Sequence, residues 1–263
     1  GVVMVEYQAS PMKKTMIMLY GANTAVLDFD NFAQIETMLD KAVTDLGCYV
    51  FVNFINPIRH EAMKTYAYEI FSELGRVPDF SFHPMGTGGG VWGTWKGYNE
   101  LAAMGVTDKV PHMVPVQPEA VCWLKRAVDS GAEVAEMYGD STRTIAQSIS
   151  GNSPLQGGRR LIRAVRESGG AAMAVSDDEI LAAMVDLGHE GIGAEPSSAS
   201  TVAAFKQAVK AGKISSSDTV VCVITGTAFK QPSVVEHIAA LPKYTIRADV
   251  DQLKGLLVRL KLL

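Results

Sequence analysis

The sequence predicts a parallel-sheet α/β protein, and three observations lead there. Short segments rich in Val, Ile and Phe alternate with longer segments of helical period, the order expected when helices cover a parallel sheet. One short segment, Phe80-Ser81-Phe82, runs straight into a glycine-rich loop and then into a helical stretch. The composition, 48% hydrophobic and 20% charged over 263 residues, supplies a sizeable core for one large domain or two small ones.

Taken in order, strands are expected at 2–6, 24–28, 48–53, 80–83, 112–116, 171–175 and 219–224. Asp30 opens an amphipathic helix that places Phe32, Ile35, Met38, Leu39, Ala42 and Leu46 on one face. Asn56-Pro57 interrupts the pattern and marks the division between a small leading lobe, 1–58, and a larger trailing one, 59–263. A helix is expected from Trp92 to Met104, and another behind Ser176 and Glu179, which have capping-box spacing. The buried stripe of the latter is Ile180, Ala183, Met184 and Leu187. The leucine-rich tail from Tyr244 to Leu263 is apolar enough to pack on the core or on a partner, and the core is expected. The first strand opens the chain with nothing before it to cover its second face, whereas a parallel sheet normally needs cover on both sides, so either this domain is unusual or something upstream is missing.

Charge and cysteine usage narrow the partners. The net charge of -4 is spread without blocks of like sign, so neither a nucleic-acid tract nor a polybasic membrane anchor is expected, and small molecules are. Val2-Val3-Met4-Val5 is far too short to span a bilayer. Cys48, Cys122 and Cys222 lie far apart without a CxxC pair, which suggests a reducing, cytoplasmic setting. The five histidines are not grouped with cysteines or acids at metal-ligand spacing, so no metal site is expected.

The strongest local signal is Pro84-Met85-Gly86-Thr87-Gly88-Gly89-Gly90, with four glycines in five residues. A bare glycine cluster fits a surface turn or an anion cradle equally well. Its place after a strand and before a helix favours the cradle, because backbone N–H groups then converge on an anion beside a helix N-terminus. No Lys-Ser or Lys-Thr follows, which excludes a Walker A loop, and Val91 stands where a dinucleotide fingerprint needs its last glycine. One cofactor phosphate fits better than a nucleotide.

Three further segments, in matching order, make the chain resemble the threonine synthase branch of the fold-type II pyridoxal-phosphate enzymes. They are Asn53-Phe54-Ile55-Asn56-Pro57-Ile58-Arg59 with Glu61 and Lys64-Thr65; Thr144-Ile145-Ala146 through Asn152-Ser153-Pro154 to Glu167-Ser168-Gly169-Gly170; and Glu195-Pro196-Ser197-Ser198-Ala199 with Thr225-Gly226-Thr227-Ala228-Phe229-Lys230. The resemblance implies three-layer α/β/α lobes of the tryptophan synthase β-like class, pyridoxal phosphate as cofactor and a homodimer. It implies conversion of O-phosphohomoserine and water to threonine and phosphate. A serine or threonine dehydratase or β-replacing enzyme of the same fold is the alternative, and a non-catalytic truncated module is a third reading.

By that resemblance Gly86, Thr87, Gly88, Gly89 and Gly90 hold the cofactor phosphate, and Thr225 hydrogen-bonds the pyridine nitrogen. Asn56 and Arg59 grip the substrate phosphate. By themselves, Thr225 reads as a strand-end turn and Arg59 as a solvated surface arginine. Glu61 and Glu195 read as acids near helix starts, and His83 as packing or local polarity. The family's early lysine motif, which forms the Schiff base, is not present, and Lys13 and Lys14 lie in the stretch that follows it in family order. The resemblance therefore implies an N-terminally incomplete member, without turnover if this is the whole polypeptide. Met63, Gly90 and Ala228-Phe229 depart from the family pattern and leave the substrate less secure than the cofactor.

Overall fold

The computed structural model describes residues 1–7, 9–29, 32–50, 56–239 and 244–263. The leading segment carries β1 (Val2–Glu6), α1 (Pro11–Leu19), β2 (Asn23–Leu27) and α2 (Phe32–Thr44). β1 and β2 pair in parallel, Val2 opposite Asn23 through Glu6 opposite Leu27. Val2, Val3 and Met4 are 61%, 39% and 44% exposed. Asp30, expected to open α2, lies outside the described residues, as do 51–53 of the expected strand at 48–53; residues 48–50 form no strand.

The trailing part begins with α3 (Pro57–Ala62) and α4 (Thr65–Leu74), then β3 (Phe80–Pro84), α5 (Gly89–Ala103), β4 (His112–Pro118), α6 (Trp123–Asp129), α7 (Arg159–Glu167) and β5 (Met173–Val175). It continues with α8 (Asp177–His189), α9 (Pro196–Lys210), β6 (Val220–Cys222), α10 (Pro232–Ile238) and α11 (Val250–Arg259). The four strands form a parallel sheet in the order β5-β4-β3-β6. Two cores cover it. On one face Met85 and Met113 pack with Trp95, Tyr98, Trp123, Leu124, Leu161 and Ile162 from α5, α6 and α7. On the other, Phe82, Val114, Val116 and Val175 pack with Ile180, Ala183, Met184 and Leu187 of α8 and the alanines of α9. The result is the parallel-sheet α/β fold the sequence predicts, in the three-layer α/β/α arrangement the resemblance implies.

Local choices agree with the fold. Ser176 and Glu179 form the reciprocal capping box at the start of α8. On α5, Gly93 and Gly97 let the helix press against its neighbours: a Cβ on Gly97 would lie 2.8 Å from both Lys64 O and Ala67 Cβ. Two expectations need correction. α11 buries none of its residues, with Leu253 44% and Leu263 74% exposed, so the tail is not packed into the core. Glu61 sits at the end of α3 rather than at a helix start, where Lys64 and Lys96 ion-pair with it and hold its carboxyl down to about 2.

The strand order decides where a ligand goes. From β3 the chain moves to β4 and then β5 on one side, and returns to place β6 against the other edge of β3. The carboxyl ends of β3 and β6 therefore flank a topological switch point, where crossover connections leave in opposite directions and open a crevice.

A candidate cofactor site at the switch point

The glycine loop leaves the carboxyl end of β3, and Thr225 follows the end of β6, so the pairing of these strands brings two remote segments together. They line one cavity of about 330 Å³, with Arg59, Met63 and Tyr66 on one side and residues 147–151 on another. Glu6, at the end of β1, also lines it, and burial pushes its carboxyl up while Lys13 opposes the shift. A larger hollow of about 660 Å³ beside α2 is walled by that helix and residues 45–46 and shares no lining residue with the glycine-loop cavity.

Each wall has a physical support. The helix α5 starts three residues earlier than its sequence suggests, because Gly88 takes φ 82° and caps it, so Gly89 and Gly90 belong to its first turn. Their backbone N–H groups are among those that a helix start leaves without intrahelical partners. A Cβ on Gly88 would lie 2.2 Å from Leu161 Cδ1, and one on Gly86 would lie 3.3 Å from Ser148 O. Gly90 has open space where a Cβ would go.

The segment 144–151 is pinned at several points. Thr144 Oγ1 donates to Asp177 Oδ1 at 2.8 Å, the Ile145 N–H donates to Asp177 Oδ2, and Gln231 Nε2 donates to Ile145 O. Trp123 Nε1 donates to Gly151 O at 3.1 Å.

At the far wall, Ser198 Oγ accepts the N–H groups of Thr225 and Gly226. Thr225 itself is exposed at the cavity rim. Ser197 is 1% exposed, lines the cavity, and its buried Oγ has no hydrogen-bond partner among the described residues.

The predicted site residues divide accordingly. Gly86, Thr87, Gly88, Gly89, Gly90, Arg59 and Thr225 all line the cavity. Asn56 does not: its side chain accepts the Ile58 N–H at 2.9 Å and caps α3, while Nδ2 donates towards Val50 O. The first three residues of its motif, 53–55, lie outside the described residues. Arg59 projects from α3 against the start of α5, with Nη1 3.3 Å from the place of a Gly89 Cβ.

Glu195 stands at the N-cap of α9, as its spacing suggests, but makes no side-chain cap. It is 3% exposed, and Lys13 Nζ lies 3.9 Å from its Oε2 and 2.6 Å from Ser148 Oγ. The sequence reading missed His83, Ser197, Ser148 and Glu6 as wall residues. Only the position of His83 beside the glycine loop gave a signal.

These features fit a phosphorylated ligand: a glycine-built floor that side chains would fill, a buried hydroxyl left without a partner, and an arginine against the same loop. No lysine is among the described residues that line the cavity.

Comparisons with known proteins agree. The family model described as pyridoxal-phosphate dependent enzyme matches residues 1–226. A threonine synthase of Methanosarcina acetivorans is 38% identical over 205 residues, covering 77% of this chain and 50% of that protein. A threonine synthase of Methanocaldococcus jannaschii is 32% identical over 261 residues, covering 98% and 63%. The chain thus spans about half to two thirds of the length of these two relatives. Among solved structures, a fungal L-serine ammonia-lyase from Rhizomucor miehei superposes with a TM-score of 0.71 at 18% identity, covering 90% of this chain and 73% of that one, a likeness of fold. With the cavity at the switch point and the family match across most of its length, the chain belongs to the pyridoxal-phosphate dependent enzymes and has their fold-type II architecture.

Proposed function

We propose that this chain forms the cofactor- and substrate-phosphate-binding part of a threonine synthase-type enzyme, which converts O-phosphohomoserine and water to threonine and phosphate. The observation that carries the reading is the convergence of Gly86 to Gly90, Thr225 and Arg59 on one cavity. Pyridoxal phosphate, when bound, supplies the electron sink for elimination and replacement at an amino-acid side chain.

The chain's own residues supply position and charge. The N–H groups at the start of α5 and the Thr87 hydroxyl hold the cofactor phosphate. The Thr225 hydroxyl would hold the pyridine nitrogen of the cofactor, and as a neutral group it would leave that nitrogen largely unprotonated, where a carboxylate would hold a proton. Arg59 grips the substrate phosphate in a bidentate manner. Asn56 acts one step removed, by fixing the α3 turn that carries Arg59. The lobes divide at 58/59, and the protein works as a cytoplasmic homodimer on a small amino-acid substrate.

The test is equilibrium binding of pyridoxal phosphate to the chain, followed by assay of threonine from O-phosphohomoserine. Saturable binding that inorganic phosphate competes away is expected. Because no described cavity residue offers a lysine amine, no threonine is expected from the chain alone. Failure to bind the cofactor sinks the reading, and threonine formation by the chain alone sinks the part that concerns the lysine. Keto acid released from serine or threonine would move the assignment to a dehydratase.

A further inference from the structure

Two buried polar residues on β3 have no part in the reading above. Ser81 and His83 stand two apart on one strand and so share a face. Ser81 is 0% and His83 2% exposed, yet His83 is among the residues that line the cavity, just before the glycine loop. Ser81 Oγ lies 2.9 Å from His83 Nε2. The Tyr66 ring meets the imidazole edge-on, with centroids 6.1 Å apart and planes at 83°.

Counting partners favours one set of proton positions. A buried hydroxyl hydrogen needs an acceptor, and among the described residues His83 Nε2 is the only hydrogen-bond partner of Ser81 Oγ. With Ser81 donating and Nε2 accepting, the ring hydrogen of the neutral imidazole sits on Nδ1. Burial keeps the ring neutral, holding its pKa down to about 4. Nδ1 makes no hydrogen bond among the described residues. In that tautomer His83 would offer an uncharged N–H donor beside a floor built for an anion.

We propose that His83 donates its Nδ1–H to an oxygen of the phosphorylated ligand in the cavity, and that Ser81 sets the tautomer that allows it. The inference rests on the phosphorylated-ligand reading of the cavity. A neutral donor satisfies a ligand oxygen without the desolvation cost of a second buried cation beside Arg59.

Nitrogen-15 NMR of the imidazole in the wild-type chain reads the tautomer directly, with no ligand and no variant required. The Nδ1–H form is expected, and the Nε2–H form overturns the proposal. Pyridoxal phosphate and inorganic phosphate are then titrated separately. A shift of Nδ1 with both places the accepting oxygen on the phosphate, and a shift with pyridoxal phosphate alone places it elsewhere on the molecule. Both results support the proposal.

Affinity is measured in parallel on two variants. His83→Leu should bind pyridoxal phosphate about tenfold more weakly, the loss expected for one such hydrogen bond. His83→Asn, whose amide keeps a donor near the Nδ1 position, should recover most of it. Wild-type binding with an unmoved Nδ1 and an unchanged His83→Leu affinity overturns this inference while leaving the cofactor reading intact. No binding by the wild-type chain overturns both.

Discussion

Ser198 Oγ lies 3.1 Å from Thr225 Oγ1 and accepts the Thr225 N–H at 3.0 Å, so a buried serine on α9 fixes the turn that carries Thr225 to the cavity rim. The same oxygen accepts the Gly226 N–H at 2.9 Å. Ser198→Ala leaves both donors without this acceptor and should cost about 1–3 kcal/mol, because a buried polar group deprived of its partner carries its desolvation penalty. Thermal melting checks this against Thr225→Ala, which removes an exposed side chain and should change stability little. Equal effects of the two would mean that Ser198 does not hold the turn.

The glycines of the loop are not equivalent. Gly88→Ala forces a side chain into a left-handed conformation and a Cβ to 2.2 Å from Leu161 Cδ1, at a cost of about 2 kcal/mol or more. Gly90→Ala meets nothing within 4 Å and lies inside α5. It should be neutral or slightly stabilising in denaturant melts. A loop that tolerates both equally would not be the packed cradle described.

Arg59→Ala should weaken binding of O-phosphohomoserine by roughly ten- to a hundredfold, in line with about 1.5–3 kcal/mol for hydrogen bonds to a charged group. Arg59→Lys should recover only part of this, since an ammonium lacks the planar fork. Calorimetric titration against unphosphorylated homoserine separates a phosphate contact from a general loss of the site. Parallel losses for both ligands would argue against the phosphate role.

His83 gives the stability a pH signature. Its pKa is held to about 4 by burial, below the ordinary histidine value of 6.5. The unfolded chain therefore binds this proton first as pH falls. The stability contribution is fully present above pH ~6.5 and is lost progressively down to pH ~4. The loss amounts to about 3 kcal/mol when integrated over the window. Chemical denaturation from pH 7 to pH 4 should show a shallower slope for His83→Leu than for wild type. Superimposable slopes would mean that the ring is not desolvated.

Much of the fold was legible in the sequence because it is written in local periodicity. β1 falls where its Val-Met run predicts, the capping box closes at Ser176, and the α8 stripe is the one its spacing gives. The glycine loop was legible for the same reason, since strand, glycines and helix are consecutive. The tail misled: its leucines have helical spacing, but periodicity states only that an apolar face exists, not what lies opposite it.

What the sequence determined by itself was the parallel α/β class, the family resemblance and the segment able to cradle a phosphate. Only the tertiary structure decided what faces that segment. It set β6 beside β3 and so brought Thr225 to the loop, and it spent Asn56 on a helix cap while leaving Arg59 at the cavity. It also turned His83 from apparent packing into a cavity-lining residue paired with Ser81. The physical reason is that strand order and side-chain partnering are set by long-range burial and hydrogen-bond satisfaction, which no local stretch of sequence records.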